Sequence, residues 1–314
     1  MIGHCNRGLV LVLILWILTI LMVIALSLSY IVRTDLAGTF AHLKDAEDKY
    51  LALSGIERAK AELIYRRFKF HDETAEVWRV DGTPYEYDLG SGLVKVRILN
   101  ESSKIDINAA PEPLLRQLFI NQGLTEEEAT VIVDSIMDWK DTDNIPRPNG
   151  AEDDYYAKLP KPYGTKNGLF DSVDELLYVR GMTREILYGG GGKRGIADLL
   201  TVYSGHNMVS VKYAEREVLR AVPGLSEELI DAILQRRQER EIKGPQDLQD
   251  VLGQAMGEVN KYLSFNDSPF FTVESEGRSN KENKTGYGIR AVLAIEGNNR
   301  FSFRYYKEPV RLRW

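Results

Sequence analysis

Cysteine is nearly absent: Cys5 is the only one in the chain. A lone thiol has no partner within the chain, which excludes an internal disulfide and a Cys-based zinc centre. Histidine is scarce as well, and His4, His42, His71 and His206 fall in no triad or metal motif. Positive charge is not in excess either. The net charge of −6 argues against non-specific binding to nucleic acid, although not against a local basic patch. A phosphate-binding loop is missing too: Gly189 to Gly192 with Lys193-Arg194 has no strand before it and no Ser or Thr after the lysine. These four glycines are expected to form a flexible linker. What remains, with 44% hydrophobic residues, is enough for an ordinary core in one to three domains.

The longest absence is of charge, from Leu9 to Val32. At about 1.5 Å of rise per residue a helix of this length reaches about 36 Å, enough to cross a hydrocarbon layer of about 30 Å. A cleaved secretory signal also starts with a basic head and an apolar core, but its core is shorter and ends in small residues. Here the small residue, Gly8, stands before the apolar run, after Asn6-Arg7. Arg7 favours retention of the head in the cytoplasm and the bulk outside, although Arg33 weakens that asymmetry.

Proline is absent before Pro84. Leu36, Phe40, Leu43, Ala46, Tyr50, Leu53, Ile56, Ala59 and Leu63 recur at steps of three and four, which predicts one long helix with an apolar stripe facing a sheet. The alternative is a separate surface helix after a hinge at Gly38 or Gly55. Strand-like runs come next, at residues 77–80, 85–87 and 93–99, and Val94, Val96 and Ile98 alternate with Lys95 and Arg97. Alternation returns only at residues 270–274, 289–295 and 301–305, the last two joined by Gly297-Asn298-Asn299.

Between these halves, from about Lys104 to Ser264, the composition is helical and repeats itself. Residues 105–116 match 209–220 in their apolar positions, 123–127 match 224–228, and 175–181 match 247–253. Gly-Leu followed by Thr or Ser before a helix is similar to the helix-hairpin-helix turn, and Thr125 with Glu128 has the form of a capping box. Such turns can present backbone amides to phosphate, and Arg236-Arg237, Arg240 and Lys243 form a basic run, so a membrane-anchored DNA-binding protein is the rival reading. Against it, Glu126, Glu127, Glu128, Glu227 and Glu228 stand at the turn tips and would repel phosphate. Glu239 and Glu241 also interrupt the basic run, as on a solvated helix face.

The strongest candidate site is an acidic loop. Asp138, Asp141 and Asp143 end one helix, Asn144 adds an amide oxygen, and Glu152, Asp153 and Asp154 return after a Pro-Arg-Pro-Asn-Gly bend. Carboxylates this dense repel one another without a cation. Hard oxygen donors point to calcium over zinc. The spacing is not that of a twelve-residue EF-hand loop, and from spacing alone a solvated acidic loop explains it equally well.

A basic leader ending in Gly8, an apolar segment behind it and a long amphipathic helix resemble a type IV prepilin or pseudopilin, cut after Gly8 by a prepilin peptidase so that the mature chain begins at Leu9. Cys5 then leaves with the leader. Most of that family carry Glu as the fifth mature residue, where this chain has Leu13. With the interrupted sheet, the duplicated helical insertion and the acidic loop, that departure resembles the general secretion pathway protein K family, the large minor pseudopilins of type II secretion. The resemblance implies an α+β fold: a membrane-spanning helix on an antiparallel pilin-like sheet, interrupted by a large all-α insertion of helix-hairpin-helix-like units. Its expected divisions are a leader (1–8), a transmembrane segment (9–32), pilin-like parts (33–103 and 265–314) and the insertion (104–264). It further implies a non-enzymatic, single-pass inner-membrane protein with a periplasmic bulk. The subunit would cap and start a pseudopilus with minor pseudopilins I and J, further candidate partners being minor pseudopilin H and the major pseudopilin G, without nucleic acid. Calcium in the insertion is implied by the same resemblance. The expected ligands are Asp141, Asp143, Glu152 and Asp153, with Asp138 and Asn144 as further candidates and Asp154 facing solvent.

Overall fold

The computed structural model describes residues 6–68, 77–282, 285–312 and 314. Cys5, His4 and His71 lie outside them, and of Gly8 only the helical backbone is described. The first helix, α1 (Asn6–Phe68), runs unbroken through both glycines. It is long and apolar enough over its first part to cross a membrane, judged by length and composition. Gly55 is no hinge, because a side chain there would collide with Ser275, Val94 and Val96. Its bare Cα lets helix and sheet approach closely.

Five strands form one antiparallel sheet in sequence order: β1 (Asp81–Asp88), β2 (Leu93–Asn100), β3 (Phe270–Arg278), β4 (Tyr287–Ile295) and β5 (Phe301–Lys307). Val94, Val96 and Ile98 of β2 are buried with Val273 of β3 and Ile289, Ala291 and Leu293 of β4 against Leu51, Ala52, Ile56, Ala59 and Leu63 of α1. The alternation of β2 thus has its expected meaning. Residues 77–80 form no strand: Trp78 instead stacks flat on Tyr85 of β1 at 4.5 Å. Pro84 sits in β1, an edge strand, where a missing N–H does no harm to the ladder. Asn298 and Asn299, both at positive φ, make the turn into β5.

The apolar stripe of α1 faces the sheet over only half its expected length. Leu36, Phe40, Leu43, Ala46 and Tyr50 are exposed, and burial begins at Asp48. The sheet is the shorter partner: strands of nine residues span about 30 Å, whereas the helix beyond the apolar segment runs on for about 50 Å. Direction along α1 is fixed by its contacts. Asp48 accepts the backbone N–H of Ser279 (2.5 Å) at one end of the sheet, where β2 begins and β3 ends. At the other end Arg66 donates to Tyr213 Oη (2.9 Å), a residue of the helical insertion. The insertion therefore stands at the end of the sheet opposite the apolar segment.

Residues of the insertion form a second core of their own, from Ile105 to Leu263. It contains two units built alike. In the first, Ile105–Asp106 pairs in parallel with Leu200–Thr201 and encloses α2 (Glu112–Asn121), α3 (Glu126–Lys140), α4 (Asp153–Tyr156) and α5 (Arg184–Tyr188). In the second, Val209–Ser210 pairs in parallel with Leu263–Ser264 around α6 (Arg216–Arg220) and α7 (Glu227–Glu239). Equivalent positions do equivalent work: Leu114 and Leu115 are buried like Val218 and Leu219, and Thr125 caps α3 as Ser226 caps α7. The capping box of Thr125 and Glu128 is complete. Between the units the glycine run is no flexible linker. Gly189–Gly190 pairs with Lys193–Arg194 in a tight hairpin whose two turn residues, Gly191 and Gly192, have positive φ, as a two-residue hairpin turn requires.

Candidate metal centre

The first unit differs from the second chiefly in the stretch after its long helix. Past α7 the chain reaches its next turn, Pro245–Leu248, within a few residues, whereas past α3 it makes the whole acidic excursion before Val173–Tyr178. Asp134, Asp138 and Asp141 recur at helical steps and so share one face at the end of α3. The loop hangs on that face. Asp138 accepts the N–H of Arg147 (3.3 and 3.1 Å to its two oxygens), and Asp134 accepts the N–H and the side-chain amide of Asn149 (both 3.2 Å). Folding back in this way brings Glu152 over the helix end.

One carboxylate oxygen each from Asp138, Asp141 and Glu152 lie within 4.8 Å of one another. Glu152 is 3% exposed, yet neither of its oxygens has a hydrogen-bond partner, and Asp141 Oδ1 is buried in the same condition. Burial, and then the charges of Asp138, Asp141 and Asp143, raise the Glu152 carboxyl to about 7. Burial likewise raises Asp138, partly opposed by the N–H of Arg147. The floor is apolar: Trp139 meets Tyr156 edge-on at 5.5 Å and stacks on Phe170 at 6.4 Å. Arg147 reaches Asp138 only at 3.6 Å and is drawn to Glu112. Buried oxygens without a partner, both of Glu152 and Oδ1 of Asp141, beside the Asp138 carboxylate are what a hard cation fits, so Asp138, Asp141 and Glu152 are the residues that would hold calcium.

The other expected ligands are placed differently. Asp143 caps the N–H of Ile145 (2.8 Å) and is exposed, near enough for its charge to act on Glu152. Asn144 Oδ1 accepts from the Asn167 amide (3.3 Å). Asp153 stands outside the group. Its Oδ1 accepts both the N–H and the hydroxyl of Thr165 (2.8 Å each), bonds that hold its carboxyl below the ordinary range. Asp154 is exposed, as expected. Asp134 escaped the sequence reading, though its position four residues before Asp138 was a signal that the face continues up the helix.

Comparison with known proteins bears on the same region. Residues 93–188, from β2 through the acidic excursion, match the family model described as "Type II secretion system (T2SS), protein K". The chain is 28% identical over 199 residues to type II secretion system protein K of Pectobacterium carotovorum subsp. carotovorum, covering 58% of this chain and 60% of that one. Over these residues it is similar to the type II secretion system protein K family. The protein K of Aeromonas hydrophila is 26% identical over 204 residues, 58% of this chain and 61% of that relative. These matches therefore span about three fifths of the relatives' length. A solved structure, the GspK–GspI–GspJ complex from the type 2 secretion system of enterotoxigenic Escherichia coli, contains a chain similar in fold, with a TM-score of 0.58 at 17% identity, covering 89% of this chain and 99% of that one.

Half of the basic run is engaged within its own unit. Arg236 bonds Asp250 and the Asp247 carbonyl, Arg237 donates to the carbonyls of Val211 (2.5 Å) and Ala214 (2.8 Å), and Arg240 reaches the Asp247 carbonyl. Arg236 and Arg237 tie the end of α7 to the rest of its unit, while Arg240 and Lys243 are exposed with Glu239 and Glu241, as on the solvated face expected from sequence. The turn tips carry the exposed Glu126, Glu127, Glu227 and Glu228. The DNA-binding alternative gains nothing from this geometry.

Proposed function

We propose that the chain is a non-enzymatic minor pseudopilin of type II secretion, forming or capping the tip of a periplasmic pseudopilus and helping to start its assembly. The observation that carries this reading is the position of the insertion, at the end of the sheet farthest from the apolar segment of α1. A body there would obstruct any subunit stacked above. Leu13 is consistent with it, since a tip subunit has no neighbour above whose N-terminus needs a glutamate.

In this reading a prepilin peptidase cuts after Gly8, residues 9–32 anchor the mature chain in the inner membrane, and the bulk lies in the periplasm. The partners are minor pseudopilins I and J, by analogy with the complex of the structurally similar chain, with H and the major pseudopilin G as further candidates. The insertion would be a duplicated helix-hairpin-helix-like unit that serves as cap rather than nucleic-acid reader. Calcium at Asp138, Asp141 and Glu152 would neutralise the acidic excursion and fix it on α3. Co-expression with I and J from the same system, followed by purification through a tag on this chain, tests the reading. Recovery of all three together is expected. A stable monomer that ignores both but retards duplex DNA would overturn it.

A further inference from the structure

The sheet and the insertion have separate apolar cores, and the chain passes between them twice, at residues 100–104 and 264–270. Small polar seams of this kind usually leave two bodies free to move. This seam is built otherwise. Asn100 is fully buried and grips the second crossing with both ends of its amide: Nδ2 donates to the Ser268 carbonyl (2.9 Å) and Oδ1 accepts the Ser268 N–H (3.0 Å). Glu101, next in the chain and 1% exposed, accepts the hydroxyl of Thr272 from β3 on one oxygen and that of Thr201 from the insertion on the other. Lys104 supplies the balancing charge at 2.7 Å and also reaches Thr272. Farther out, Tyr213 of the insertion joins Arg66 of α1 to Asp267, and Arg290 of β4 faces Asp198.

We infer that this buried polar seam clamps the insertion on the end of the sheet, so that the two bodies turn as one, and that Glu101 is its central residue. Charge-assisted bonds from a buried carboxylate are short and directional, and one carboxylate here is shared by both bodies. Severing it leaves two hydroxyls without their acceptor and the Lys104 ammonium without its counter-charge, a cost borne at the seam and in neither core. The inference holds whether or not the chain caps a filament.

Spin labels on the full chain in detergent test it. With Cys5→Ser as background, Glu47→Cys on α1 and Glu239→Cys at the end of α7 report the distance between the bodies by pulsed electron resonance. One narrow distribution is expected, widening about twofold or splitting in Glu101→Ala. Glu101→Gln, which keeps the shape and one acceptor oxygen, should fall between. Should Glu101→Ala fail to fold, Thr201→Val with Thr272→Val removes the same two bonds and should widen the distribution likewise. A broad distribution in the parent chain would overturn the clamp. An unchanged width in a folded Glu101→Ala variant, or in the threonine pair if that variant does not fold, would remove Glu101 from its centre.

Discussion

Glu152→Gln should stabilise the metal-free protein at pH 8 while abolishing its response to calcium. The folded chain raises the Glu152 carboxyl from 4.5 to about 7, so the folded state binds this proton more tightly than the unfolded state does. The corresponding stability is fully present below about pH 4.5 and is lost as pH rises to about 7. A shift of this size corresponds to at most about 3 kcal/mol, and the raised carboxyl of Asp138 acts in the same sense. An amide at position 152 resembles the protonated carboxyl and should recover much of that loss above pH 7, with little effect at pH 5. It cannot replace a carboxylate ligand. In the parent chain, calcium a hundredfold above its dissociation constant should add about 2.7 kcal/mol at pH 8 if it binds only the folded form. Unfolding of the full chain in detergent, at pH 5 to 8 with chelator, calcium or magnesium, measures all of this. Parent stability that is flat or rises between pH 5 and 7 in chelator would refute the electrostatic argument. A calcium-specific gain that survives in Glu152→Gln would refute the site.

N-terminal sequencing of the membrane-inserted protein should begin at Leu9, and Gly8→Val should retain the leader. Leu13→Glu should be tolerated in a secretion assay without improving it; a requirement for glutamate there would contradict a tip position. Gly55→Leu should drive a side chain into Ser275 and Val96, costing about 1–3 kcal/mol and raising hydrogen exchange along α1 and β3, while the calcium response of the insertion stays unchanged.

The sheet was legible where one face is apolar and the other charged, as in β2, because a period of two admits no other element. Continuity of α1 was legible from the absence of proline. Its docking register was not, since Leu36 and Phe40 continue the pattern of Ile56 and Leu63 although no described part of the chain covers them. The acidic excursion could be recognised as a site, but adjacent carboxylates cannot be sorted by composition. Glu152 turns inward and Asp153 turns to Thr165, a choice made by the start of α4 and by a residue twelve positions later. Gly191-Gly192 was a hairpin signal, but four successive glycines obscured it.

Strands β2 and β3 pair along their full length although some 170 residues separate Asn100 from Phe271, its ladder partner. For a disordered loop, closure over that length costs only about 3 kcal/mol more than over a four-residue turn, because the entropy grows with the logarithm of length. The insertion is not disordered. Its last strand, Leu263–Ser264, pairs with Val209–Ser210 inside the same core, and Ile105–Asp106 pairs with Leu200–Thr201, so folding of the two units already brings both ends toward one side. Asn100 then needs only to meet Ser268 for β2 and β3 to lie in register. The same two crossings that let a pilin-like sheet carry so large an insertion thus also fix where that insertion stands, beyond Arg66 and away from the apolar segment.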